Sequence, residues 1–163
     1  MSSVPVTFLQ FAAATVISYL GLLAGFFLAS VTTEELPTGK KYFPLLQRMI
    51  ILVIGATAAN FFGVGTVPKL LFYLVLIAVI MFSINIRLFY AVFGVLLFTV
   101  AASVNILLIM SSFIFLFGLV SGSEYFTLVV KKKRSRAAAA GNLLLRNAAY
   151  PTIALAMFLL SVR

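Results

Sequence analysis

The sequence contains no cysteine, no histidine and no tryptophan, and its three acidic residues are all glutamates: Glu34, Glu35 and Glu124. Each absence removes a kind of chemistry. Without Cys there is no disulfide and no thiolate nucleophile. Without His, Cys or Asp, a general base would have to be a glutamate or a lysine. Glu34 and Glu35 are neighbours with nothing beside them to complete a usual ligand set, so no metal site is expected. Only Glu124 lies near a long apolar stretch, so no pair of carboxylates can work within a membrane. Gly39-Lys40-Lys41 lacks the upstream glycine spacing of a phosphate-binding loop. No serine has a candidate base beside it in sequence. These absences argue against an enzyme, and no cofactor is expected.

Charge itself is scarce. Of 163 residues, 64% are hydrophobic and 9% charged, with a mean hydropathy of +1.22. A soluble domain of this size needs more polar surface than that. The solvent is expected to be lipid, where each segment must satisfy its own backbone polar groups. The apolar runs have helix length, and no ten-residue segments alternate polar and apolar as barrel strands do. The expected fold is all-α: a single polytopic, integral membrane helical bundle over 1–163.

What charge there is runs to one sign. Twelve Lys and Arg give a net charge of +9. In a soluble chain that would suggest nucleic acid. In a membrane chain it is the ordinary bias of cytoplasmic loops toward Lys and Arg, so nucleic acid is not expected. The densest run is Lys131-Lys132-Lys133-Arg134-Ser135-Arg136. By contrast, Leu70 to Val130 carries only Arg87 and Glu124. The run is the strongest orientation signal in the chain. Lys131, Lys132, Lys133, Arg134 and Arg136 are the residues expected to meet anionic lipid headgroups or an acidic partner.

About 20 apolar residues cross the hydrocarbon core. The spans are expected at about 7–31, 45–64, 69–86, 88–110, 112–130 and 146–162. The N-terminus lacks the basic start of a signal peptide, so the first span is read as retained. Leu88 to Val130 would measure about 65 Å as one helix, twice the core. It is read as a hairpin turning near Ser103 to Asn105 or at Ser111-Ser112, which gives six spans. One long helix that breaks at Gly118 to Ser123 gives five. Six spans with the N-terminus outside put Lys40, Lys41, Arg48, Arg87, the basic run and Arg146 inside. That obeys the positive-inside bias better. Gly141-Asn142 is expected to interrupt the helical Ala137–Ala140 stretch, at the cytoplasmic interface. Pro151 suits the first turn of a final span.

Small residues at four-residue spacing mark close helix packing. Gly21, Gly25 and Ala29 form one such stripe, and Gly55, Ala59 and Gly63 another. The two stripes predict a tight antiparallel pair of the first two spans. Gly118 and Gly122 form a third stripe, just before Glu124. An intramembrane carboxylate should be paired or protonated, and Arg87 is the expected partner; the alternative is that the helix ends at Gly122 and Glu124 is solvated at the interface. Asn60 should find a partner across a helix interface. Tyr42, Tyr73, Tyr90, Tyr125 and Tyr150 fall near span ends, where amphipathic rings are favoured, whereas Tyr19 is mid-span.

Three functions fit a chain so poor in reactive groups to different degrees. A structural or assembly subunit of a membrane complex, or a helix-packing homo-oligomer, requires nothing that is missing. A small channel or transporter for an ion or solute would have to rely on uncharged Asn60, Asn85, Asn105, Ser103, Ser111 and Ser112. An enzyme lacks its groups. The expected location is the plasma or cytoplasmic membrane.

Overall fold

A computed structural model describes residues 6–32, 39, 41–63, 65–82, 85–130 and 135–161. Glu34, Glu35, Lys40 and Lys131 to Arg134 lie outside the described residues. Among the described residues there are seven helices and no strand: α1 (Phe8–Val31), α2 (Phe43–Phe61), α3 (Thr66–Phe82), α4 (Ile86–Thr99), α5 (Val104–Val130), α6 (Arg136–Asn147) and α7 (Ala149–Ser161). Local chemistry sets several of the ends. Thr7 and Gln10 form a reciprocal capping box ahead of α1. Pro44 occupies the first turn of α2, where its missing N–H costs nothing. Gly63, at φ +60, takes the left-handed conformation just past the end of α2. The Asn85 side chain caps α4 by accepting from the backbone N–H groups of Arg87 and Leu88.

The tightest association is between α1 and α5. A methyl placed on Gly21 would strike the backbone of Phe115, and one on Gly25 would strike that of Leu119. From the other side, Gly118 faces Leu22 and Gly122 faces Leu22 and Phe26. Both sequences advance together along this contact, so the two helices run parallel. Ser123 adds a hydrogen bond across it, donating to the Gly25 carbonyl at 2.9 Å. Packing of this closeness is the main attraction between helices in lipid, where the apolar effect between them is lost.

This corrects the expected partnership of the first two stripes. The groove of α1 is filled by α5 and not by α2. Gly55 instead meets the side chains of Leu76 and Phe72 on α3. Ala29 and Ala59 are buried. Gly63 has open space around it and serves as a helix terminator, with no packing role. The four-residue spacing marks a smooth face but carries no information about which other face it meets.

The other helices fall into place around the parallel pair. Gln47 at the start of α2 touches Ser121 and Glu124 near the end of α5, so α2 runs antiparallel to it. α3 folds back on α2. Tyr90 and Phe93 of α4 pack against Phe117 of α5, forming an antiparallel hairpin. Its turn lies at Val100–Ser103, held by local backbone hydrogen bonds. Ser111 and Ser112 lie inside α5, their hydroxyls donating to the Leu108 carbonyl. Relative to the expected spans 88–110 and 112–130, the first helix is shorter and the second longer. α6 begins beside Phe26, Phe27 and Ser30 of α1. α7 continues down α1, with Tyr150 beside Ser18 and Phe158 stacked on Phe11.

Gly141 and Asn142 do not interrupt α6; the break comes at Ala148, where the α6–α7 pair bends by 41°. Pro151 explains the position. It has no N–H for the Asn147 carbonyl four residues back, and its ring crowds that carbonyl. In place of one helix over the expected 146–162, α6 ends at Asn147 and α7 runs from Ala149 to Ser161.

Three helices, α1, α2 and α5, are long and apolar enough to cross a membrane, and the number is four if the bent α6–α7 pair counts as one span. α3 and α4 are shorter apolar helices. A glycine substitution series tests the ordering of these contacts. Gly25→Leu or Gly122→Leu must push one backbone off another and should cost about 3 kcal/mol of stability. Gly55→Ala meets mainly a movable leucine end and should cost about 1 kcal/mol or less. Thermal unfolding in detergent would show the difference, and equal losses at Gly25 and Gly55 would contradict the backbone contact.

Candidate functional site

The helix directions gather most of the described cations. The α1, α5 and α6/α7 contacts put the end of α1, the end of α5 and the start of α6 together. The starts of α2 and α4 join them, through Gln47 and through Ile86 and Arg87. Lys41, Arg48, Arg87, Arg136 and Arg146 therefore sit toward one end of the bundle. Lys69 sits at the other, donating to the Asn60 side chain at 2.8 Å across the α2–α3 turn. Asn60, itself exposed, thus finds its partner across a helix interface, in the half-buried Lys69 of α3.

Glu124, the one acid among the described residues, is at the cationic end. Its carboxylate accepts from the Gln47 Nε2 at 2.8 Å, and the same amide reaches the Ser121 hydroxyl at 3.3 Å. Gln47 and Ser121 are both buried. This corrects the expected Arg87–Glu124 pair: the two residues lie at the same end, but the amide of α2 holds the carboxylate. α2 packs directly on this face of α5, whereas Arg87 looks into a separate cavity. The sequence reading passed over Gln47 because a lone glutamine near a span's start carries no pattern. Its one available signal was being an uncharged donor with a long reach inside an apolar run.

That cavity has a volume of about 260 Å³ and lies between the start of α4, the last turns of α5 and the end of α6. Arg87, Ser121, Tyr125, Arg146 and Asn147 are its polar lining, with Ile86, Leu128, Val129 and Leu143 completing the walls. Arg146 lies over the Tyr125 ring, its guanidinium carbon 6.0 Å from the centroid. Asn147 is buried, and its Nδ2 donates to the Leu143 carbonyl at 2.8 Å. Its Oδ1 is buried without a partner among the described residues. On the other side of α6, Arg136 sits over the Phe126 ring at 6.0 Å.

Deeper in the bundle lies a tyrosine cluster. Tyr90 and Tyr150 are fully buried, 5.8 Å apart by ring centroid. Both were expected near span ends, yet they fill the core between α1, α4, α5 and α7. Gly94 and Gly118 make room for them: a methyl on Gly118 would come within 2.8 Å of the Tyr90 hydroxyl. Tyr150 shares a hydrogen bond with Ser18, and Tyr19 donates to the Leu144 carbonyl. Among the described residues no group of three metal-ligating side chains is brought together.

These features define a class, an all-α bundle with several helices fit to cross a membrane and a strongly cationic end. Comparison with protein-family models, curated proteins and solved structures found no match.

The Gln47–Glu124 contact can be measured directly. Gln47→Leu leaves a half-buried carboxylate without its donor and should cost about 1–3 kcal/mol. Adding Glu124→Leu should recover much of that loss, because both polar partners are then gone. A double-mutant cycle by thermal unfolding checks the coupling, and simple additivity would show that the amide does not serve Glu124.

Proposed function

We propose that this chain is a non-enzymatic, six-pass integral membrane protein that serves as a structural or assembly subunit of a membrane complex. The parallel pairing of α1 and α5 supports the six passes. Parallel neighbours need an odd number of crossings between them, and α2, α3 and α4 provide three. The gathering of cations at one end supports an orientation with that end, and the basic run, in the cytoplasm.

The observation that carries the subunit reading is α3. Its main contact is α2, and Val67, Leu70, Leu71, Leu74 and Val75 are all exposed. A helix that is apolar all round is covered by lipid or by other helices. At 17 residues it is about 26 Å long. A segment shorter than the bilayer core gains by packing against neighbours. A helix of another subunit, or of a second copy, is the fitting cover.

The chain's lack of cysteine makes the topology easy to test. A lone Ser135→Cys should react with a membrane-impermeant maleimide only after the membrane is opened. Gly65→Cys should react in intact cells. Labelling of both from the same side would contradict the pass count, and the reversed pattern would invert the orientation.

Size tests the subunit reading. Extraction in a mild detergent followed by native mass spectrometry should give a particle of more than one chain. Exposed face substitutions such as Leu71→Ala with Leu74→Ala should shift it toward monomer. A monodisperse single chain would overturn the assembly role, and ion flux through liposomes holding that chain would favour transport instead.

A further inference from the structure

The cavity at the cationic end has a donor and acceptor layout that the scaffold reading does not use. Two guanidiniums, Arg87 and Arg146, border it from different helices, α4 and α6. Each carries several N–H donors in a planar fork suited to phosphate oxygens. The only carboxylate among the described residues, Glu124, is served by Gln47. Ser121 and Tyr125 add hydroxyls to the wall.

Asn147 completes the polar wall, its Nδ2 held by the Leu143 carbonyl and its oxygen buried behind the cavity surface. The ligand that suits this lining is an anion. The depth fits as well. Tyr125 lies five residues before the end of α5, about 8 Å along the axis, which is just beneath the bundle end.

We propose that this cavity binds a phosphate group, held by the guanidiniums of Arg87 and Arg146. An anionic phospholipid headgroup and a soluble phosphate ester share that chemistry. The inference rests on the proposed membrane placement but not on the subunit role. It also differs from charge attraction to the basic run, because the groups involved are fixed by helices.

The test uses the full-length chain purified in a non-ionic detergent, with lipid binding read by native mass spectrometry and by thermal shift. Phosphatidylglycerol should bind and raise the melting temperature. Arg87→Gln with Arg146→Gln should weaken phosphatidylglycerol binding about tenfold or more. Both side chains are exposed, so this variant should melt at an unchanged temperature without lipid. Lys69→Gln, at the opposite end, should leave binding intact. Equal phosphatidylglycerol binding by the wild type and the double variant overturns the site. Displacement of the lipid by millimolar glycerol phosphate identifies a soluble ester as the ligand, and its absence identifies the headgroup. Failure of the membrane placement would appear instead in the labelling pattern of Ser135→Cys and Gly65→Cys.

Discussion

The architecture depends on one contact, the backbone-to-backbone approach of α1 and α5 through Gly21, Gly25, Gly118 and Gly122. Dispersion forces fall steeply with distance, so a groove without side chains gains what two leucine faces in lipid do not. The contact is parallel, and that has a topological consequence. After α1 the chain must return to its starting side before α5 begins. α2 and α3 bring it back to the end where α1 finished, so one more helix must run back along the bundle. α4 is that helix. The turn at Val100–Ser103 and the parallel glycine contact are therefore two views of the same constraint. A continuous helix from Ile86 to Val130 would set its glycines against α1 in the opposite direction.

A second constraint acts on the last helix. α7 must lie along α1 and also against α4, where Gly94 lets the Tyr150 carbonyl come close. A straight continuation of α6 would not follow both neighbours. Pro151 supplies the bend by removing one hydrogen bond, that of the Asn147 carbonyl. The bend also delivers Tyr150 into the core, where its hydroxyl pairs with Ser18. Ser18 in turn donates to the carbonyl of Ala14 one turn back, so a buried polar group is satisfied within its own helix. The large rings of Tyr90, Phe93, Phe117 and Tyr150 then fill the space that the glycines open.

Some of this was legible in the sequence, and the reasons are specific. Composition and run length read out the all-helical class, because lipid leaves a chain little choice. The stripes at Gly21–Gly25 and Gly118–Gly122 were visible as smooth faces. Their pairing was not, since two of three stripes can be matched in several ways and each choice satisfies the spacing. Tyr90 and Tyr150 were misplaced because a tyrosine at a span end and one at a helix break look alike in one dimension. Arg87 and Glu124 came out at the same end, but the choice between an arginine and an amide partner depends on which helix packs on that face of α5. The Asn147 oxygen had no signal at all, because only the bend and the cavity together leave it without a donor.

The amide partner of Glu124 has an electrostatic consequence for the whole cationic end. Had Arg87 paired with Glu124, one positive and one negative charge would have been tied together. Gln47 provides a hydrogen bond without adding or removing charge. Burying Gln47 at 2% exposure is acceptable because its amide serves both Ser121 and Glu124. Arg87 is left bordering the cavity together with Arg146. Five of the six described cations stand toward one end with one described carboxylate, and their charge is balanced by solvent or by a bound anion. Solvent can do so at an exposed loop. Beside the apolar side chains of Ile86, Leu128, Val129 and Leu143, where the local dielectric is lower, an anion does it better.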